Sequence, residues 1–216
     1  MHADIKMIHK SFIEFGGWIN ILAGLLFLSF WLLYVLLLPY NQLTDTLEIL
    51  VVDSDWFMVN TFGIAGALLG ILGLPWLYFA QRDQINGWGT TGFILSLAGS
   101  ALLLPPLVWD SMLWPVIAEQ DPTLLRFDGP IYTSRLFLPY FIGAGVVHCL
   151  GFVLFGWGTF RTGILGKYPP LITATGALFF DLGSLAGPVQ VYPRTLGLVL
   201  FAGGMIWLGT LLKRLR

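Results

Sequence analysis

Long apolar runs separated by short polar stretches dominate the chain. A helix that crosses a hydrocarbon core of about 30 Å needs about 20 consecutive, mostly apolar residues. Six segments meet that requirement, at roughly 17–39, 57–80, 88–109, 136–159, 170–188 and 194–212. The fifth, PLITATGALFFDLGSLAGP, is the weakest, because it is short, rich in glycine and carries Asp181. The pattern predicts an all-α fold: an integral membrane six-transmembrane-helix bundle, built as a single transmembrane domain over residues 1–216.

Within the runs, small residues recur at helical spacing. The first segment carries Gly16, Asn20 and Gly24, and the second Asn60, Gly63, Ala67 and Gly70. The third carries Gly92, Ser96 and Gly99, and the fifth Ala174, Ala177, Asp181 and Ser184. Helices bathed in lipid associate through close backbone approach and interhelical hydrogen bonds, not through hydrophobic force. Each stripe therefore predicts a helix–helix seam, with Asn20, Asn60 and Ser96 as its structural polar contacts. Pro105-Pro106 removes two successive backbone donors. It is expected to end the regular part of the third helix and leave LVWDSMLWP as a separate outer piece. The second, fourth and sixth segments share small-residue cores, GIAGALLG, GAGVVHCLG and LFAGGMIWLG. They suggest a weak parallel hairpin repeat, supported by a few identities when 62–103 is shifted by 79 residues.

Composition strengthens the membrane reading. The chain is 56% hydrophobic and 11% charged, against roughly 25% charged in soluble domains. Its net charge of −1 says nothing by itself, but the distribution does. Lys6, Lys10, Arg82, Arg161, Lys167, Lys213, Arg214 and Arg216 fall on one side of the segments, and only Arg126, Arg135 and Arg194 on the other. The excess of lysine and arginine marks the cytoplasmic face, so both termini are expected to be cytoplasmic. Asp45, Glu48, Asp53, Asp55, Asp110, Glu119, Asp121 and Asp128 all fall outside. Trp18, Trp88 and Trp157 near the inner face, with Trp56, Trp109 and Trp114 near the outer, are expected to form interfacial belts. The longer outer loops contain LEILVV and SMLWPVIA, apolar enough to lie along the interface or fold over the bundle. The mixed, polar MHADIKMIHKSFIEFG does not read as a signal peptide.

Few residues could carry chemistry. His148 lies eleven residues before the expected end of the fourth helix, and Asp181 eleven residues after the start of the fifth. At 1.5 Å per residue both stand about 16 Å above the inner face, on consecutive antiparallel helices. An isolated aspartate at mid-bilayer costs roughly 2.5–3.5 kcal/mol, so a buried His148–Asp181 pair is expected. It serves either as a proton relay or the polar end of a ligand pocket, or as a structural contact fixing helix register. Asp53, Asp55, Asp110, Asp128 and Arg135 flank the outer helix ends and could rim a cation-attracting vestibule, or be solvated loop charges. GWGTTG at 87–92 fits a dinucleotide fingerprint, but no strand precedes it, so the match is coincidental. His2 and His9 lie in the tail, far from His148, which leaves no metal site and no bis-histidine haem. Cys149 is a small apolar helix residue. No catalytic motif and no basic aromatic patch for nucleic acid is present. No cofactor is expected, and the chain leaves room for a bound lipid.

The run LGFVLFGWGTFRTGILGKYPPLITATGALFF resembles a pattern common in uncharacterised bacterial inner-membrane proteins. In these an LGxxLFG helix end is followed by an arginine, a short basic turn and a helix of the LLxxGA kind. The likeness covers about 150–180, with a looser echo at 196–212. That family usually has a proline after the turn's leucine, where this chain has Gly166-Lys167. The resemblance implies a polytopic protein of the bacterial cytoplasmic (inner) membrane and brings no activity with it. Two function classes follow. One is a non-catalytic accessory or assembly subunit whose partners are membrane lipids and other integral membrane subunits. The other is a small transporter or lipophilic-ligand-binding protein built around His148 and Asp181.

Overall fold

The computed structural model describes residues 2–38, 47–126, 128–184 and 191–215, and for 2–10, 47 and 48 it describes the backbone alone. The side chains of His2, Lys6, His9, Lys10 and Glu48, and the whole of Asp45, Arg216 and the tail of the 170–188 segment, therefore lie outside what it describes. All described secondary structure is helical. The elements are α1 (His2–Leu37), the single turn α2 (Leu47–Leu50), α3 (Trp56–Phe79), α4 (Gly87–Gln120), a 3₁₀ turn (Pro122–Leu125), α5 (Phe137–Thr162), α6 (Tyr168–Gly183) and α7 (Val191–Arg214).

Five of these helices are long and apolar enough to cross a membrane, and α6 is not among them. Its 16 residues reach about 24 Å, short of the hydrocarbon thickness of about 30 Å. Two other boundaries differ from the sequence expectation. The polar N-terminal residues are helical, so α1 begins well before residue 17. And α4 runs through Pro105, Pro106 and Pro115 as one helix of 34 residues, rather than ending at the double proline. The physical reason is visible at one carbonyl. Pro106 has no N–H to give to Leu102 O four residues back, and the hydroxyl of Tyr140 on α5 donates to that oxygen at 2.7 Å. A neighbouring helix thus supplies the missing donor.

The six long helices close a ring: α1 packs on α3, α3 on α4, α4 on α5, α5 on α6, α6 on α7, and α7 on α1. The middle of α1 meets the end of α7, where Lys213 Nζ lies 3.1 Å from the Trp18 ring centroid. Small residues set the seams. A β-carbon on Gly92 would stand 2.2 Å from Phe155 N, and one on Gly99 would stand 2.4 Å from His148 Cα. Between α5 and α6 the chain turns through Gly163 and Gly166, both at positive φ (69° and 74°), where a side chain would be strained. Gly163 N–H closes the end of α5 by donating to Thr159 O at 3.3 Å.

Two apolar layers fill the ends of the ring. At the end bearing the α5–α6 turn, Leu74, Leu77, Phe155, Leu165, Leu208 and Leu212 pack together. At the opposite end Trp31, Leu50, Val51, Trp56, Trp114 and Leu125 do so. The stretch LEILVV thus packs over this end through Leu50 and Val51, while SMLWPVIA continues α4 and buries Trp114 and Ala118 in the same layer. That corrects the outer aromatic belt: Trp56 and Trp114 are buried, while Trp18, Trp88, Trp109 and Trp157 are exposed. The apolar layer buries the two indoles, and each donates to Asp110: Trp56 Nε1 to its backbone oxygen at 2.6 Å and Trp114 Nε1 to its carboxylate.

Candidate functional site

Between the two layers the ring encloses a cavity of about 430 Å³. Its walls come from all six long helices and are mostly apolar, with Phe27, Phe30, Phe152, Phe180 and Phe201 among them. The polar groups that reach it include Ser100, Asp110, His148, Asp181, Ser184 and Arg194. Its opening is specific. Phe141, Ile142, Val146 and Leu150 of α5, with Leu178 and Leu182 of α6, are the lining side chains exposed by a third or more. These two helices touch at their turn end, where a β-carbon on Gly156 would stand 2.6 Å from Pro170 O. Farther out on α5, at Gly143 and Gly145, nothing lies within 4 Å of a β-carbon position. The exposed part of the cavity's lining therefore lies on α5 and α6.

His148 and Asp181 stand at that opening, one on each wall. His148 Nδ1 and Asp181 Oδ2 are 2.7 Å apart, with side chains only 12% and 8% exposed. Each lies about 20 Å along its helix from the shared turn, at 1.5 Å per residue. Equal depth on antiparallel neighbours is what lets them meet. Among the described residues it is the one hydrogen bond between α5 and α6 side chains. The imidazole also rests on Phe152 and Phe201, with ring centroids 4.8 Å and 6.1 Å away. Nδ1 is committed to the carboxylate, which leaves Nε2 as the nitrogen free to address the cavity.

A second polar station was not anticipated as part of this site. Arg194 lines the cavity with its guanidinium 5.3 Å from the Trp31 ring centroid and 5.1 Å from that of Phe180. Its Nε is buried and has no hydrogen-bond partner among the described residues. Aromatic faces hold a desolvated guanidinium well, and Trp31 is itself fixed by donating from Nε1 to Thr195 Oγ1 at 2.7 Å. Asp110 lies within electrostatic reach as the opposite charge. The segment start expected at 194 left the arginine on the flank. The described part of the helix already includes Val191, so Arg194 lies within it.

The remaining site residues fall in different places. Asn20 is fully buried and its Nδ2 donates to Gly16 O at 2.8 Å and to Gly73 O on α3 at 3.0 Å, an interhelical contact. Asn60 is buried too, but donates to Trp56 O of its own helix at 2.9 Å, so no interhelical bond is seen from its amide. Ser96 is also buried, and its hydroxyl has no partner among the described residues. Its value is size: a β-carbon on Gly151 would stand 2.2 Å from Ser96 N. The expected outer vestibule does not assemble among the described residues. Asp53 accepts from Asp55 N at 2.9 Å within a turn, and Asp128 pairs with Arg126 at 3.2 Å on the exposed surface. Arg135 is exposed, and Asp110 belongs to the cavity. A further polar knot went unforeseen. The buried Gln81 donates from Nε2 to Thr159 Oγ1 at 2.9 Å, and its Oε1 accepts from Thr162 Oγ1 at 2.9 Å, tying the end of α3 to the end of α5. GWGTTG is simply the first turn of α4, where Asn86 Oδ1 accepts from Gly89 N at 2.9 Å.

Among the described residues no three His, Cys, Asp or Glu side chains gather as a metal site would require. Compared with protein-family models, with curated proteins and with solved structures, the chain finds no match in any of the three.

Proposed function

We propose that this membrane protein binds a lipophilic molecule, which enters its central cavity from the bilayer through the gap between α5 and α6. The carrying observation is the direction of the opening: the exposed lining residues sit on those two helices, while apolar layers fill both ends of the ring. A water-soluble solute would have to cross one of those layers. An amphiphile need only slide in sideways, leaving its tail among Val146, Leu150 and Leu182 and its head beside His148, Asp181 and Arg194. Ligand sites are typically apolar hollows with a few placed polar groups, and an intramembrane His–Asp pair is expensive unless used or satisfied. In this reading the basic end of the bundle, with Arg82, Arg161, Lys167, Lys213 and Arg214, faces the cytoplasm, and α6 completes a six-pass bundle with its neighbours' help.

Filling the cavity tests the reading. Gly145 lines it and has open space at its β-carbon position, so Gly145→Phe should fold and occupy the hollow. The full chain is purified in mild detergent, and co-purifying molecules are counted by native mass spectrometry. A retained amphiphile in the wild type, reduced at least tenfold in Gly145→Phe at unchanged melting temperature, is the expected result. An empty wild type that co-purifies instead with stable protein partners would replace this reading with the accessory-subunit one.

A further inference from the structure

The charges in the cavity come in opposite pairs. Arg194 and Asp110 both line it and carry opposite charges, without an ion pair between them, and His148 is bonded to Asp181. The second pair carries no net charge when Nε2 holds a proton, whichever of Nδ1 and Oδ2 owns the shared one. Internal balance has a consequence for any guest. A permanently charged head would add an uncompensated charge to an apolar enclosure, which is costly unless it is paired. What remains unspent is donor capacity: Arg194 Nε is buried without a partner, and His148 Nε2 is free of the carboxylate.

Resting on the lipid-site reading above, we infer that the cavity selects amphiphiles whose head is uncharged and bears hydrogen-bond-accepting oxygen, as in an ester, ketone or quinone ring. Anionic and cationic lipids of the same tail are excluded. Arg194 and His148 Nε2 donate to the oxygen. Asp110 acts indirectly, by cancelling the guanidinium charge that would otherwise recruit an anion.

The test uses three ligands that share a twelve-carbon chain: methyl dodecanoate, dodecylsulfonate and dodecyltrimethylammonium. Each is offered to the full chain in nanodiscs, and retention is read by native mass spectrometry. The wild type should retain the ester at least tenfold over either ion. Two variants move the preference in opposite directions. Arg194→Met should raise retention of the cation relative to the ester, and Asp110→Asn that of the anion. An ion retained as well as the ester by the wild type overturns the inference, as does an unchanged ranking in both variants. Either result leaves the lipid site itself standing. Retention of none of the three overturns both.

Discussion

Tyr132 shows how far the influence of the site extends beyond the membrane-spanning helices. It sits in the loop before α5, packed edge-on against Phe137 at 5.4 Å between ring centroids. Burial pushes its phenol above the ordinary value of 10.0, the Asp110 carboxylate adds to the rise, and Arg194 partly opposes it. The folded protein therefore holds this proton to higher pH than the unfolded chain does. Above pH about 10 the unfolded state releases its proton first, so stability should fall as pH rises further. Tyr132→Phe should lessen that fall, measured as melting temperature between pH 9 and 11; an identical slope in both proteins would remove Tyr132 from the account. At this scale sequence reading succeeds where position alone decides contact. That His148 and Asp181 can meet follows from counting residues along two antiparallel helices. Arg194 escapes the same count because its helix already includes Val191, ahead of the start that hydropathy indicates, and a charge at the rim of a segment looks like any other flank.

At the scale of elements, seams matter more than apolarity. The α4–α5 seam leaves no room at Gly99, where a methyl group would strike His148 Cα. Gly99→Ala should cost about 1–3 kcal/mol through overpacking and lower the melting temperature in detergent. Gly143→Ala, with open space at the same atom, should leave it unchanged or raise it slightly. Equal effects would mean that helix propensity, not contact, governs both. The glycine stripes of the third segment are legible for this reason: small residues at helical spacing have few other uses in lipid. Element ends are less so. Pro105-Pro106 reads as a terminus because a proline's missing donor normally ends a helix in isolation. Only the partner helix carries the hydroxyl that makes continuation affordable, and nothing local to the double proline announces Tyr140.

The whole molecule is a ring of six long helices with a hollow centre, and hollowness is what a linear pattern hides. Each stripe predicts that helices touch, not that they leave a gap on one flank. The burial of Trp56 and Trp114 is hidden likewise, since Tyr34 packs on the one and Phe137 on the other from separate helices. Orientation is a property of this scale, and it can be checked at two exposed acids. Asp83 and Asp128 have side chains 89% and 78% exposed, one at each end of the ring. In a protein with Cys149 replaced by alanine, Asp128→Cys should react with an impermeant maleimide on intact cells. Asp83→Cys should react only after permeabilisation; the reverse pattern would invert the assignment.

The turn between α5 and α6 makes these helices the arms of a lever. Gly156 against Pro170 and Ala174 is the fulcrum, and His148 lies about 12 Å out along one arm and Asp181 about 10–16 Å out along the other. Tilting the α5 arm by about 5° carries His148 by roughly 1 Å at that radius, which takes a hydrogen bond of 2.7 Å beyond about 3.5 Å, where it no longer counts as one. A wedge no larger than a methyl group at position 156 would thus be felt, amplified, at the mouth.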